Sequence, residues 1–300
     1  MLEGRMEPIA SSESVTIHCP VDGKFSFFNS PYPAHASYTG VDVYPKTSFG
    51  DTAPSPVRGE VKTARMVRCP EPRGFEGSTR DHVILLRSID NPKRWVKILH
   101  VEPSVRAGDV VEPGEGLGTL LRSGFFDFWT DPHIHVEVRK PSDALRARGG
   151  FRFQRLMKPN VSDAVKDLTG TVVDVTSEYS LVALDGGSKH GVPVDLDGQV
   201  GLLDAGLPHY RWFGVHTDLP PAATGTIRLC GNRIGTVRSA HSNMCVAECF
   251  GSAFSLNGKP VGLSLHLYPS SPLAKIIPLK DSRLALRKFE NVCITVSSTS

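Results

Sequence analysis

Apolar and polar residues alternate with a period of two through most of the first 140 positions. The runs VTIHCPV (15–21), GVDVYP (40–45), SPVRGEVKTARMV (55–67), HVILLR (82–87), WVKILHV (95–101) and HIHVEVR (133–139) read as strands, separated by Gly, Pro, Asp or Asn. Residues 105–121, VRAGDVVEPGEGLGTLL, alternate short strands with Gly and Pro turns, a pattern suited to a small antiparallel barrel or sandwich. PSDALRARGG (141–150) predicts a helical turn or short helix closed by its Gly pair, and residues 151–167 show no strand alternation. Strands resume with TGTVVDV, YSLVAL, GTIRLC, RIGTVRSA, MCVAECF, VGLSLHLY and NVCITVS, with a longer loop expected over 204–226. The pattern predicts an all-β chain with a first domain over 15–150 and a second β-rich domain over 165–300. No fixed-period repeat or low-complexity tract accompanies it.

Composition narrows the function classes. With 28 Gly and 23 Pro, the chain is too rich in turn-formers for a long-helix bundle. Hydrophobic residues at 40% and charged residues at 22% exclude wholesale disorder. A net charge of +3 is too small to imply a nucleic-acid or membrane surface. No run approaches the roughly 18 apolar residues that cross a bilayer, and the first 20 residues lack the apolar core of a secretory signal, so a cytoplasmic chain is expected. The six cysteines form no CxxC pair and are expected to be reduced, buried thiols. Oligomeric state leaves no signature.

The candidate chemistry begins with Asp131-Pro132-His133-Ile134-His135-Val136-Glu137. Residues two apart on a strand share a face, so His133, His135 and Glu137 line up there. Two imidazoles so placed suit a zinc site, one as ligand and one beside the open coordination position. Asp42 stands inside the apolar run Val41–Tyr44, soon after His35, where an acid is costly unless paired or metal-bound. The run Trp95–Val101 carries His100 at a strand end. His241, Cys245 and Cys249 are spaced by four, without an apparent fourth ligand. Arg139, Lys140, Arg146, Arg148 and Arg152 form a basic cluster, expected to be a solvated face or a guide for an acidic substrate.

Taken in order, Gly40-Val41-Asp42, Ser55-Pro56-Val57-Arg58-Gly59-Glu60-Val61, His100, the hairpin Gly108-Asp109-Val110 through Gly118, and His133-Ile134-His135 resemble the lysostaphin/LytM-type zinc endopeptidases. Their domain is a duplicated hybrid motif barrel, and the resemblance covers roughly residues 20–140. It implies that Asp42 and His135 are zinc ligands and that His100 and His133 are the catalytic pair. Glu137 would support the site from the same strand face. The implied activity is zinc-dependent hydrolysis of a peptide or cell-wall-type crosspeptide, with Zn2+ as cofactor and a peptide or peptidoglycan-like substrate as partner.

One position departs from that family. Its first ligand is a histidine four residues before the Asp, where this chain has Tyr38; His35 stands seven before, a spacing that resembles the D-Ala-D-Ala-type zinc peptidases. Either His35 reaches the metal through a longer loop, or the site lacks a ligand and the domain is a catalytically inactive binding module. A third reading, a phosphohistidine carrier using His100 and His133, is opposed by Asp42, whose carboxylate would repel an incoming phosphate.

Overall fold

The computed structural model describes residues 4–249, 251–279 and 284–298. The chain forms two compact units, one comprising residues up to Phe25 with Tyr32–Met157, the other Ser26–Pro31 with the residues from Lys158 onward. Both are built almost wholly of antiparallel strands, so the fold is all-β. Among the described residues no helix is long and apolar enough to cross a membrane.

In the first unit the strands are β1 (Met6–Ser12), β2 (Val15–Pro20), β3 (Lys24–Ser26), β4 (Val41–Tyr44), β5 (Thr52–Pro54), β6 (Gly59–Arg68), β7 (Arg80–Ser88), β8 (Trp95–Leu99), β9 (Val101–Pro103), β10 (Val110–Val111), β11 (Gly116–Leu120), β12 (Ile134–Arg139) and β13 (Gln154–Arg155). A four-residue helix, α1 (Pro33–Ala36), precedes β4, and Pro141–Asp143 form a single 3-10 turn where a helical turn is expected. The principal sheet runs β10-β6-β7-β8-β12-β4-β3, beside smaller sheets β13-β1-β2 and β5-β11-β9.

Two adjacent strands of that sheet, β12 and β4, set the site. All six residues of β12 and all four of β4 are buried. A strand buried on both faces usually reads as a continuous apolar run. Here β12 alternates instead: Ile134, Val136 and Val138 lie on one face with Val41, Val43, Val96 and Ile98 on the neighbouring strands, while His135, Glu137 and Arg139 occupy the other. The second face is therefore buried and polar, and its groups must satisfy one another. Arg139, expected on a solvated face, is fully buried within it.

The second unit is one twelve-stranded sheet of β14 (Leu168–Val175), β15 (Ser180–Leu184), β16 (Val192–Leu196), β17 (Gln199–Leu207), β18 (Trp212–Thr217), β19 (Thr226–Leu229), β20 (Asn232–His241), β21 (Met244–Cys249), β22 (Ser252–Leu256), β23 (Lys259–Leu265), β24 (Ala274–Pro278) and β25 (Asn291–Ser298). Its core gathers Val172, Val182, Leu203, Phe213, Val215 and Ile276. The loop expected over 204–226 is interrupted by strand, the end of β17 and all of β18, and only 218–225 is a longer irregular stretch. Buried Asp204, His216 and Gly214 interrupt the apolar alternation there. Asp204 accepts hydrogen bonds from Ser26 Oγ (2.6 Å) and Phe27 N (2.7 Å), and a Cβ at Gly214 would lie 1.8 Å from the Phe28 ring. The cysteines are free, but only Cys19 and Cys245 are buried; Cys293 is exposed, so the expectation of six buried thiols fails.

Candidate metal centre

The turn that leads from α1 into β4 decides where the His35 imidazole goes. Pro33 starts α1 with its fixed φ, and the backbone N–H groups of Tyr38 and Thr39 donate to the carbonyls of His35 (3.0 Å) and Ala34 (2.8 Å). Tyr38 takes a left-handed φ of 64°, which closes the turn and sends the chain into β4. Gly40 is required by proximity, since a Cβ there would stand 2.9 Å from His135 Cε1 and 3.1 Å from Ala34 Cβ. Tyr38 is itself buried, with the Arg152 guanidinium 5.8 Å from its ring centroid.

In the antiparallel ladder of β4 and β12, His135 lies directly opposite Asp42. The structure brings His35 to this pair: His35 Nε2 is 3.2 Å from His135 Nδ1 and 3.4 Å from Asp42 Oδ1, and His135 Nδ1 is 2.7 Å from Asp42 Oδ1. All three side chains are buried. Tetrahedral ligands about 2.0–2.1 Å from zinc stand about 3.3 Å from one another, so this nitrogen–oxygen triad fits such an ion with a small opening of the Asp42–His135 contact. His35, Asp42 and His135 thus form a group that could hold a metal ion.

The electrostatics favour a positive charge at that point. Burial pushes the Asp42 carboxyl up, but the imidazoles of His35, His133 and His135 hold it well below the usual carboxylate range. Burial likewise pushes His135 down, yet hydrogen bonds with Asp42 and Glu137 outweigh it and raise the imidazole to about 9.

His100 and His133 lie beside the triad, their ring centroids 5.0 Å apart, with His133 Nε2 3.8 Å from Asp42 Oδ2. His133 Nδ1 faces the Asp131 carbonyl at 3.0 Å, an acceptor, so that nitrogen carries the proton. Burial, followed by the neighbouring imidazole charges, holds His133 down at about 4 despite Asp42. Phe126 packs on both rings, at 4.7 Å from His100 and 4.8 Å from His133. His241, Cys245 and Cys249 are not brought into any such group among the described residues.

Comparison with known proteins supplies the family. Residues 16–155 match the N-terminal domain of a domain of unknown function, DUF8155, and residues 163–297 match its C-terminal domain. The chain carries both domains of the DUF8155 family. No curated protein matches it. Among solved structures, the NMR solution structure of lysostaphin is 17% identical over 70% of this chain and 95% of that one, with a TM-score of 0.25. The antimicrobial peptidase lysostaphin from Staphylococcus simulans is 14% identical over 92% and 95%, with a TM-score of 0.23. Superpositions this loose carry no argument about the DUF8155 chain.

Sequence reasoning pointed to Glu137 behind the triad but missed the partners that hold it, Lys97 and, through Lys97, Tyr32 among them. Glu137 Oε1 lies 3.3 Å from His135 Nε2 and accepts from Lys97 Nζ at 2.9 Å, while its Oε2 accepts from Arg139 at 2.8 Å. Lys97 is opposite Glu137 in the β8–β12 ladder, and Lys97 also donates to Tyr32 Oη at 3.4 Å. The Tyr32 ring meets His135 edge-on at 5.1 Å. A Lys inside the apolar run WVKILHV signals a buried partner, by the same argument that singles out Asp42.

Proposed function

We propose that the first DUF8155 domain is a zinc-dependent hydrolase of peptide bonds, of the kind that cleaves peptides or cell-wall-type crosspeptides. The observation that carries this reading is the buried His35–Asp42–His135 triad, whose ligand atoms lie near the spacing a tetrahedral zinc site would need, with the His100–His133 pair beside it. When bound, zinc supplies Lewis-acid polarisation of a carbonyl and a water acidified towards a pKa of about 7.

The chain's own residues provide the rest. Asp42 contributes the single negative charge of the donor set, and His135 is steered by Glu137 at its other nitrogen, which leaves Nδ1 for the ion. His133 keeps its proton on Nδ1, so its Nε2 is the nitrogen that can accept a hydrogen bond. His100 handles protons near the scissile bond, and Phe126 shields both rings from water.

The test is metal analysis of purified protein combined with turnover of peptide and peptidoglycan-crosspeptide substrates. About one zinc per chain is expected, lost in His135→Ala; His100→Ala keeps the zinc and loses turnover. A wild-type protein that binds no zinc, or a His135→Ala variant with unchanged stoichiometry, overturns the reading.

A further inference from the structure

Asp81, near the start of β7, is fully buried yet belongs to neither the metal triad nor the histidine pair. Four donors meet its carboxylate. Oδ1 accepts from the backbone N–H of His82 (2.6 Å) and of His100 (3.0 Å); Oδ2 accepts from Ser123 Oγ (2.6 Å) and faces His100 Nδ1 at 2.7 Å. Burial pushes this carboxyl up, but His100 and the hydrogen bonds hold it at about 2, so at neutral pH it is ionised and can only accept. His100 itself interrupts the run of β8 into β9 with a left-handed φ of 72°, a conformation that persists in a non-glycine residue only when its surroundings impose it.

We propose that Asp81 is a positioning residue for His100: by accepting the ring Nδ1–H and the backbone N–H of the same residue, it fixes both the rotation of the imidazole and its tautomer, leaving Nε2 as the basic nitrogen. The catalytic relevance of that nitrogen rests on the hydrolase reading above; the tautomer does not. The arrangement follows the general logic in which a proton-handling base is oriented by a third group. Ser123 Oγ donates to the same Oδ2 and so holds that oxygen from a second side.

The geometry separates this role from a merely structural one. In Asp81→Asn the side-chain oxygen must stay at the Oδ1 position, because two backbone N–H groups point at it. The amide NH2 then falls at the Oδ2 position and donates towards His100 Nδ1. An Asn therefore preserves the backbone anchoring but forces the proton to Nε2.

The experiment is a long-range 1H–15N imidazole correlation spectrum of the full chain, with and without added zinc, His100 being assigned by difference from His100→Gln. Wild type is expected to show His100 as the Nδ1–H tautomer, Ser123→Ala to retain it, and Asp81→Asn to convert it to Nε2–H. Turnover in Asp81→Asn is expected to fall on the order of 10²–10⁴-fold at unchanged zinc content, the contribution of a well-placed general base. A wild-type Nε2–H tautomer, or an unchanged tautomer in folded Asp81→Asn, overturns the proposal. If Asp81→Asn does not fold, the wild-type and Ser123→Ala spectra decide alone. An Nδ1–H tautomer in a protein that binds no zinc would sustain the positioning role while removing the hydrolase reading.

Discussion

Replacing Glu137 by Gln removes one charge from a buried network and changes almost nothing in shape. Glu137 and Arg139 are fully buried and Lys97 is 3% exposed, so the carboxylate is what compensates two desolvated cations. Asp143 Oδ1, 3.4 Å from the Arg139 guanidinium, offsets part of one of them. Breaking a buried ion pair by neutralising one partner costs about 3–5 kcal/mol, because the other charge is stranded. For a unit of this size that corresponds to a fall in Tm of roughly 6–20 °C. The assay is denaturant unfolding of wild type, Glu137→Gln, Lys97→Met and the double variant. Lys97→Met in the Glu137→Gln background removes a stranded cation, so the cycle should return a coupling of about 1–3 kcal/mol. A loss below about 1 kcal/mol in Glu137→Gln, or strict additivity in the cycle, would refute the view that this face is held by charge compensation. The same substitution should weaken zinc binding by roughly 10–100-fold through His135, since the outer partner of a metal-bound imidazole sets its orientation.

Gly40→Ala should cost about 1–3 kcal/mol and lower zinc affinity, because the new Cβ lands 2.9 Å from His135 Cε1; metal titration with unaltered affinity would disprove the close approach. Asp81 has a folded value of about 2 against an ordinary 3.8, so its contribution, about 2 kcal/mol, is complete above about pH 4 and disappears as pH falls towards 2. The stability difference between wild type and Asp81→Asn should therefore shrink over that window, and a pH-independent difference would contradict it. Limited proteolysis should cut first within 157–167, a stretch with no strand, and the nicked halves should co-elute because Ser26–Pro31 is hydrogen-bonded to Asp204; separation without denaturant would refute that anchoring.

Much of the site was readable from residue order. The alternation of His133, His135 and Glu137 places them on one face of a strand, and Asp42 stands out because an acid in VDVY has no cheap solution without a partner. Register was not readable: that β12 pairs with β4 so that His135 opposes Asp42 depends on contacts distant in sequence. The delivery of His35 depends on a turn closed by a left-handed Tyr38, a conformation for which Tyr carries no sequence signal. In the second unit, the end of β17 and all of β18 fall in the stretch expected as loop, 204–226, because Asp204, Gly206, Gly214 and His216 break the period, although each position is explained by what packs or bonds there.

These failures share one cause, and it bears on how such a face should be read. A period-two pattern normally means one buried side and one wet side, but here the polar side of β12 is as dry as the apolar one. What distinguishes the two cases is the identity of the polar residues. A solvated face is assembled from groups that need no particular neighbour, whereas β12 and its flanking strands supply complementary ones: Asp42 to His135, Glu137 to Lys97 and Arg139, Asp81 to His100. Each carboxylate is placed where a desolvated cation or imidazole needs it; Asp42–His135 and Glu137–Lys97 join different strands, and Asp81 reaches from β7 to His100 at the β8–β9 break. Complementarity across strands is therefore the physical signature of this site, and it emerges only once the register is known, which is why single residues in the sequence point to the His35–Asp42–His135 triad while the network that orients it is seen in the fold.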